Sequence, residues 1–395
     1  MGNKHKDNVL SLATVENVSM GHPDRQTELI ADAILDELIK VTPDARVAIE
    51  ITGTGNVIAI GGEVNAQGLE VDMDEVLRTS VNRVLHRQKL DDFAKEVRII
   101  NMVKEQSSEI TQLVEKEDDS LGAGDQGHMW SYALNAPEYN YLPEAFWLTE
   151  EILRLRDEDY YNNPNTFLGA DAKVQITWNP LDGKVYSVVM STQHDEGVDL
   201  GELRNYVKEE IIKPALGNFW HEGIILYINY AGSFVLGGIQ ADSSAVGRKL
   251  AITSAMGTVG GYLNNGSLNL TVIPMSGGCS SGKDATKVDR SGHLMARYIA
   301  KNIVASTGIK ECLVQLSYVI GKAEPTSVII QSDELTDEQI QSLVVQVTEQ
   351  LDLTPRGIIN RFDLAQPIWM DVTWDGQFNN PDKAWEQLDL EFTLD

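Results

Sequence analysis

The sequence predicts an α+β protein built from three related β-β-α-β units, and three observations carry that reading. Apolar and polar residues alternate about a centre of Gly, Asn, Asp or Pro at 45–64, 172–193 and 312–330, as a strand–turn–strand requires. An amphipathic helical stripe follows each alternating segment, and a short apolar run follows each stripe. In the first unit the stripe carries Met73, Val76, Leu77, Val81, Val84 and Leu85, ahead of a strand expected at 97–102. In the second it carries Leu200, Leu203, Tyr206, Val207 and Ile211, ahead of a strand at 224–229. In the third it carries Ile340, Leu343, Val344, Val347 and Leu351, ahead of a strand at 357–362. Spacings of three and four residues give each helix one buried face. The repetition reads as three related domains, against the alternative of a common local motif recurring by chance. Polar stretches at 107–121 and 162–165 mark linkers. The tail after Gln366, with Trp369, Trp374 and Trp385, is expected to pack back onto the body.

Composition narrows the class. Hydrophobic residues make up 42% of the 395 positions and charged residues 23%, the balance of a chain that buries a sizeable core. No apolar run reaches the roughly 18–20 residues that span a bilayer, so no membrane association is expected. The first residues are charged and carry no apolar core, so no secretory signal is expected. Two cysteines, Cys279 and Cys312, are too few for a disulfide framework, and a reducing cytoplasm is the simplest home. Acidic residues number 59 against 32 basic ones, a net charge of −27 that repels nucleic-acid backbones, so no nucleic-acid partner is expected. The stretch 245–290 departs from this balance: Arg248, Lys249, Lys283, Lys287 and Arg290 face only Asp284 and Asp289. A cationic patch in an acidic chain points to a small polyanion such as a nucleotide triphosphate, or else to a solvated basic face.

Four motifs carry candidate chemistry. In Gly21-His22-Pro23-Asp24-Arg25 the proline stands where a helix opens, because Ile30, Ile34, Leu35, Leu38 and Ile39 form the stripe that follows. His22 and Asp24 then sit at a helix N-terminus, suited to an anion and its metal, or to simple complementation of the helix dipole. Gly122-Ala123-Gly124-Asp125-Gln126-Gly127 is either a plain turn or a close backbone approach to a ligand, closing a long polar loop with the makings of a lid. Gly277–Asp284 nearly spells a P-loop, but Asp284 stands in place of the Mg²⁺-binding Ser or Thr, and the helical stripe starts only near Leu294. Lys283, Lys287, Asp289 and Arg290 together could hold phosphate oxygens and Mg²⁺. No HExxH or CxxC pattern occurs.

Together these pieces resemble the S-adenosylmethionine synthetase (methionine adenosyltransferase) family over nearly the whole chain. The match runs in order through Glu16 with Gly21–Asp24, Gly62-Glu63, 104–106, GAGDQG at 122–127, Asp171-Ala172-Lys173 and STQH at 191–194. It continues through FVLGG at 234–238, Asp242, Gly247-Arg248-Lys249, GKDATKVDRS at 282–291 and AEPTS at 323–327. The resemblance implies three structurally similar domains related by pseudo-threefold symmetry, with boundaries at 8–108, 121–236 and 237–395 and a mobile active-site loop at 106–121. It implies that methionine sulfur attacks C5′ of ATP and expels triphosphate, which is then split to pyrophosphate and phosphate. His22, Lys173, Arg248 and Lys283 are the implied catalytic residues. The implied ATP-binding set adds Asp171, Ser233, Phe234, Asp242, Lys249 and Cys279. Glu63, Gln106, Asp125, Asp242 and Lys287 match methionine-side positions. Asp24 and Asp289 match Mg²⁺ ligands, with two Mg²⁺ per site, and Glu50 matches a K⁺ ligand. A homodimer or homotetramer is implied, with ATP and L-methionine as substrates.

Departures from the family pattern are local. Arg25-Gln26-Thr27-Glu28 stands where the family has Lys and then an Asp-Gln pair, and Ser233 stands where it has Arg. The segment 250–280 is longer than usual and replaces part of the HGGGAFSGKD pattern with Met275-Ser276-Gly277-Gly278-Cys279-Ser280. Its small residues bury less surface against a purine, so a weakened preference for adenine is one expectation, and a surface excursion that never meets the nucleotide is the other. A diverged non-catalytic nucleotide-binding partner and a paralogue of altered nucleotide specificity are the alternatives to an active synthetase.

Overall fold

The structure is a computed structural model that describes residues 12–106, 121–179, 182–253, 259–264, 267–274 and 276–394. The first unit comprises β1 (Ala13–Val18), α1 (Pro23–Val41), β2 (Arg46–Thr54), β3 (Val57–Asn65), α2 (Met73–Arg87), α3 (Asp91–Glu96) and β4 (Arg98–Glu105). The second comprises β5 (Gly127–Leu134), α4 (Glu144–Asn162), β6 (Leu168–Asn179), β7 (Lys184–His194), α5 (Leu200–Tyr206), α6 (Lys213–Leu216) and β8 (Ile225–Ile228). The third comprises β9 (Ser244–Ala245), α7 (Leu250–Thr253), β10 (Val259–Asn264), β11 (Ser267–Val272), α8 (Val288–Thr307), β12 (Glu311–Tyr318), β13 (Ser327–Gln331), α9 (Asp337–Gln350), α10 (Pro355–Phe362) and α11 (Trp369–Asp375).

The three hairpins form where alternation places them, β2–β3, β6–β7 and β12–β13, all antiparallel. In β2 the period is plain: Val47, Ile49 and Ile51 are buried while Glu50 and Thr52 are exposed. In the first two units the helix after the hairpin returns the chain so that β4 runs parallel to β3 and β8 parallel to β7. In the third unit the expected strand at 357–362 is instead α10. Thr354 Oγ1 accepts the Gly357 N–H at 3.1 Å, Pro355 occupies the first turn, and Ile358 and Phe362 are buried one turn apart. The Thr-Pro start signal outweighs an apolar run too short to define its own period. Between α5 and α6, Val207–Ile212 forms a π turn in which the Lys213 N–H reaches back to Lys208 O. Pro214 follows directly and has no N–H to give, which accounts for the slipped register.

Each hairpin sheet is completed by a strand from a different unit, and the exchange closes in a ring. β1 pairs antiparallel with β6, β5 with β12, and β9 with β2. The resulting orders are β4-β3-β2-β9, β1-β6-β7-β8 and β13-β12-β5, with β10–β11 a separate two-stranded ribbon. This cyclic pairing is the pseudo-threefold relation in physical form.

α1 and α8 are the central helices. All of α8 from Val288 to Val304 is buried, and α1 buries Asp24, Arg25, Gln26, Asp32 and Asp36 beside its apolar stripe. Buried polar groups need partners, and the tail supplies several: Asp36 accepts the N–H groups of Trp369 (2.8 Å) and Met370 (3.1 Å). Buried Glu386 pairs with Arg297 and Lys301 of α8. Trp369 and Trp385 are each only 1% exposed, so the tail does pack back onto the body. Among the described residues no helix is long and apolar enough to cross a membrane.

Candidate active site

The site begins at the N-terminus of α1. His22 is the N-cap, its Nδ1 accepting the Asp24 N–H at 3.2 Å, and Pro23 fills the first turn. Asp24 has no exposed side-chain surface and accepts from Ala245 N (3.0 Å), Arg248 Nε (2.9 Å) and Lys249 Nζ (2.7 Å). Burial opposes its charge, yet the hydrogen bonds from Lys249, Ala245 and Arg248 prevail and hold its carboxyl below the ordinary range. Burial, and then neighbouring Lys249, push His22 down to about 4, so the imidazole is neutral at physiological pH. Lys173 also bears on His22 electrostatically, pairs with Glu16 across β1 and β6 at 2.8 Å, and lies opposite Val18 in the register.

β2 acts as a ruler that holds a second cluster beside the first. Its edge accepts β9 at Thr52 and Gly53, and farther along it pairs with the segment around Lys283, which lies opposite Ala48. Four residue steps along the strand, roughly 13 Å, separate the two attachments. Glu50, exposed and raised by its partial burial, stands between them. Lys283 Nζ lies 2.5 Å from Asp289 and 4.0 Å from Asp125. Burial alone would lower Lys283, but Asp289 outweighs it and raises it. A Cβ on Gly278 would fall 2.2 Å from Asp289 Oδ1, so only glycine fits there, and Cys279 packs its Cβ where a side chain on Gly247 would go. The glycine-rich loop thus touches both clusters. It is not a P-loop: Gly282 O accepts from Ile49 N (2.9 Å) and Asp284 N donates to Val47 O (3.1 Å), an edge-strand pairing, and α8 opens only at Val288.

A third wall runs from β7 back to α1. His194 and Phe234 exchange hydrogen bonds (2.9 and 3.0 Å), and Asp171 accepts the Gly238 N–H at 2.9 Å. Burial raises Asp171 to about 6. Ser233 and Asp242 are exposed along this segment. Gln26, one of the departures from the family pattern, accepts the Ile239 N–H at 2.8 Å and so anchors the turn. Arg25, another, is buried, pairs with Glu28 and donates to Thr373 O at 2.6 Å, away from the Asp24 cluster.

The remaining candidates stand elsewhere. Glu63 faces Ala48 across the β2–β3 pair, two strand spacings (roughly 10 Å) from Lys283. Gln106, just past β4, is buried and its N–H reaches Val64 O. Lys287 is 5% exposed and its Nζ is held at 2.6 Å by Asp284. The expected lid at 106–121 lies outside the described residues except at Gln106 and Leu121, and so do the side chains of 253–272. The sequence reading did not single out Asp32 or Gln26 as site components. Each works through partners remote in the chain, which no local pattern signals.

Three interlocked domains thus bring the cations Lys173, Arg248, Lys249 and Lys283 near the carboxylates Asp24 and Asp289, the kind of charge arrangement suited to a nucleotide-handling transferase. Family models for the N-terminal, central and C-terminal domains of S-adenosylmethionine synthetase match residues 11–108, 120–234 and 236–387. An S-adenosylmethionine synthase of Staphylococcus epidermidis is 36% identical over 397 residues, covering 96% of each chain, and one of Pseudothermotoga lettingae is 36% identical over 403 residues at the same coverage. Among solved structures, one described as an unusual S-adenosylmethionine synthetase from Campylobacter jejuni superposes with a TM-score of 0.79 at 31% identity, covering 96% of this chain and 97% of the other. The chain belongs to the S-adenosylmethionine synthetase family, a family of methionine adenosyltransferases.

Proposed function

We propose that the protein is an active S-adenosylmethionine synthetase using ATP and L-methionine in the cytoplasm. The observation that carries this reading is the convergence of His22, Arg248 and Lys249 on Asp24, with Lys173 bearing on His22, and Lys283, paired to the same strand β2, holding Asp289. Methionine sulfur forms a bond to C5′ of ATP as the C5′–O bond breaks, leaving a sulfonium and inorganic triphosphate. Water then splits the triphosphate to pyrophosphate and phosphate. A neutral thioether needs no general base, so positioning and charge stabilisation dominate. Lys173, Arg248, Lys249 and Lys283 take the developing negative charge, and neutral His22, its Nδ1 accepting the Asp24 N–H, donates from Nε2 without adding charge. The wall from Asp171 through Ser233, Phe234 and Asp242 to Cys279 faces the nucleoside. Glu63, Gln106, Asp125 and Lys287 serve the methionine end, the last by holding Asp284 and the loop.

The carboxylates fit Mg²⁺. The protein offers few carboxylates here: Asp24, and Asp289 with Asp125 beside it. That is the donor set of a Mg²⁺ held largely by substrate phosphates. Asp24 and Asp289 would serve as ligands for two Mg²⁺ per site and Glu50 would hold K⁺. Bound Mg²⁺ would neutralise charge on the leaving triphosphate, while Arg248, Lys249 and Lys283 exchange their carboxylate partners for phosphate oxygens. The test is incubation with ATP, methionine, Mg²⁺ and K⁺. A sulfonium product with both pyrophosphate and phosphate is expected, and Lys283→Ala or Asp289→Asn should each lower turnover at least about 100-fold, on the order of 3 kcal/mol. Formation of ADP, or near wild-type rates in either variant, would defeat the reading.

A further inference from the structure

Lys283 owes its direction to groups that touch no part of the open site. Asp32 lies on α1 with no exposed surface. Its Oδ1 accepts the Gly282 N–H at 2.8 Å and a second hydrogen bond from the Arg290 guanidinium, and its Oδ2 accepts the Thr373 hydroxyl at 2.6 Å. Arg290, 2% exposed, also donates Nε to Ser280 O at 2.7 Å and lays its plane 4.1 Å over the Trp369 ring. The Gly282 carbonyl is held by Ile49 N and the Asp284 N–H by Val47 O. Gly282 itself has φ +78°, and a Cβ there would lie 2.4 Å from Ile49 O. The backbone on either side of Lys283 is therefore fixed, and both ends of the loop from Ser280 to Arg290 are tied to one carboxylate.

We propose that Asp32 and Arg290 are positioning residues that set the reach of Lys283 toward the triphosphate; this rests on the function proposed above. A buried ion pair adds little net stability over an apolar pair of the same volume. What the guanidinium contributes is a planar fork with fixed donor directions, and lysine cannot reproduce it. The pair also joins three separate parts of the chain at one point: α1, the loop before α8, and the tail at Trp369 and Thr373. A displacement of about 1 Å at a phosphate-binding lysine can lower turnover on the order of 100-fold.

The experiment is calorimetric titration of the full chain with inorganic imidotriphosphate, a non-hydrolysable probe, in the presence of Mg²⁺, alongside steady-state kinetics. Arg290→Lys and the near-isosteric Asp32→Asn should weaken triphosphate binding roughly tenfold or more and lower kcat, while the KM for methionine changes less than about twofold. In a Lys283→Ala background Arg290→Lys should bring no further loss. A purely structural pair would lower the melting temperature yet leave the triphosphate affinity of the folded fraction unchanged, or would add its full effect to that of Lys283→Ala. Either result overturns the inference. Trp369→Phe, which keeps an aromatic platform under the guanidinium, should fold and show a smaller loss in the same direction; wild-type affinity there with weak binding in no other variant would also overturn it. If the wild-type chain fails to bind imidotriphosphate, the functional reading itself falls, and the inference falls with it.

Discussion

Asp24 shows how much a single carboxylate can organise. One oxygen holds the β9 backbone and Arg248, the other holds Lys249, and its own N–H caps onto His22. Asp24→Asn should therefore cost more than a metal ligand: it leaves two cations unpaired and loosens β9, and turnover should drop at least about 100-fold. Normal kcat with only a changed Mg²⁺ requirement would show that the residue acts through metal alone. His293 supplies a test of a different kind. It is buried on α8 with its ring edge-on to Phe378 (5.1 Å), and its Nε2 finds no hydrogen-bond partner among the described residues. Burial, and then Arg297, lower it to about 4. Between pH 6.5 and 4 the unfolded chain then binds a proton that the folded chain refuses, so stability falls as pH falls through that window. Denaturant melts at pH 7 and pH 4.5 should show His293→Leu losing less stability than wild type, by on the order of 2 kcal/mol. Identical losses would mean that His293 is not held neutral. His22 shares the window and its contribution stays in both proteins. At this scale the motif residues were legible because their types cluster in the chain. Gln26 and Asp32 were not, because the N–H groups they bind lie 213 and 250 positions away.

Elements were legible where one period dominated. Alternation in 45–64, 172–193 and 312–330 located all three hairpins, and the stripes located α2, α5 and α9. The apolar run at 357–362 failed because Ile358, Ile359 and Phe362 satisfy a helical spacing as well as a strand, and its cap went unread. That cap makes a prediction. Thr354→Ala removes the acceptor for the Gly357 N–H and should cost about 1 kcal/mol in denaturant unfolding, with turnover unchanged, because α10 lies away from the site. A loss of activity larger than the loss of folded protein would reassign α10 to the site. The π turn before Pro214 was equally hidden, since the stripe through Leu203, Val207 and Ile211 keeps its spacing across the slip.

At the scale of the whole molecule, the repeat was legible but its closure was not. β9 is two residues long and β1 and β5 precede the helices rather than the hairpins, so nothing local says whose sheet each one joins. The exchange predicts that the units are not separable. A fragment of residues 12–106 would lose the partners of Asp24, Asp32 and Asp36 and the strand that completes its sheet. It should show no cooperative thermal transition, while the full chain melts cooperatively; a sharply melting, folded fragment would contradict the interlocked reading. The outer face of the first sheet carries Ile100 (48% exposed) and Met102 (52%), beside Gly61 and Glu63. An apolar surface of this kind suits the homo-oligomer that the resemblance implies, which we propose here. Sedimentation should show a dimer or larger, and mixing Lys283→Ala with Gln106→Ala chains should restore part of the activity if sites are shared across the interface. A fully active monomer would end that idea.

The ring of exchanged strands also has a consequence in time. A ribosome delivers the chain from one end, at roughly 5–20 residues per second. β1 and α1 emerge first, yet β9, Arg248 and Lys249 emerge some 140 residues after the first unit is complete, and Trp369 later still. For an interval on the order of ten seconds the nascent first unit carries carboxylates whose counter-charges have not been synthesised. The earliest-made of these clusters is thus the last to be finished, and a message truncated just before the tail would yield a chain holding every signature motif but none of the tail groups that bind Asp32 and Asp36.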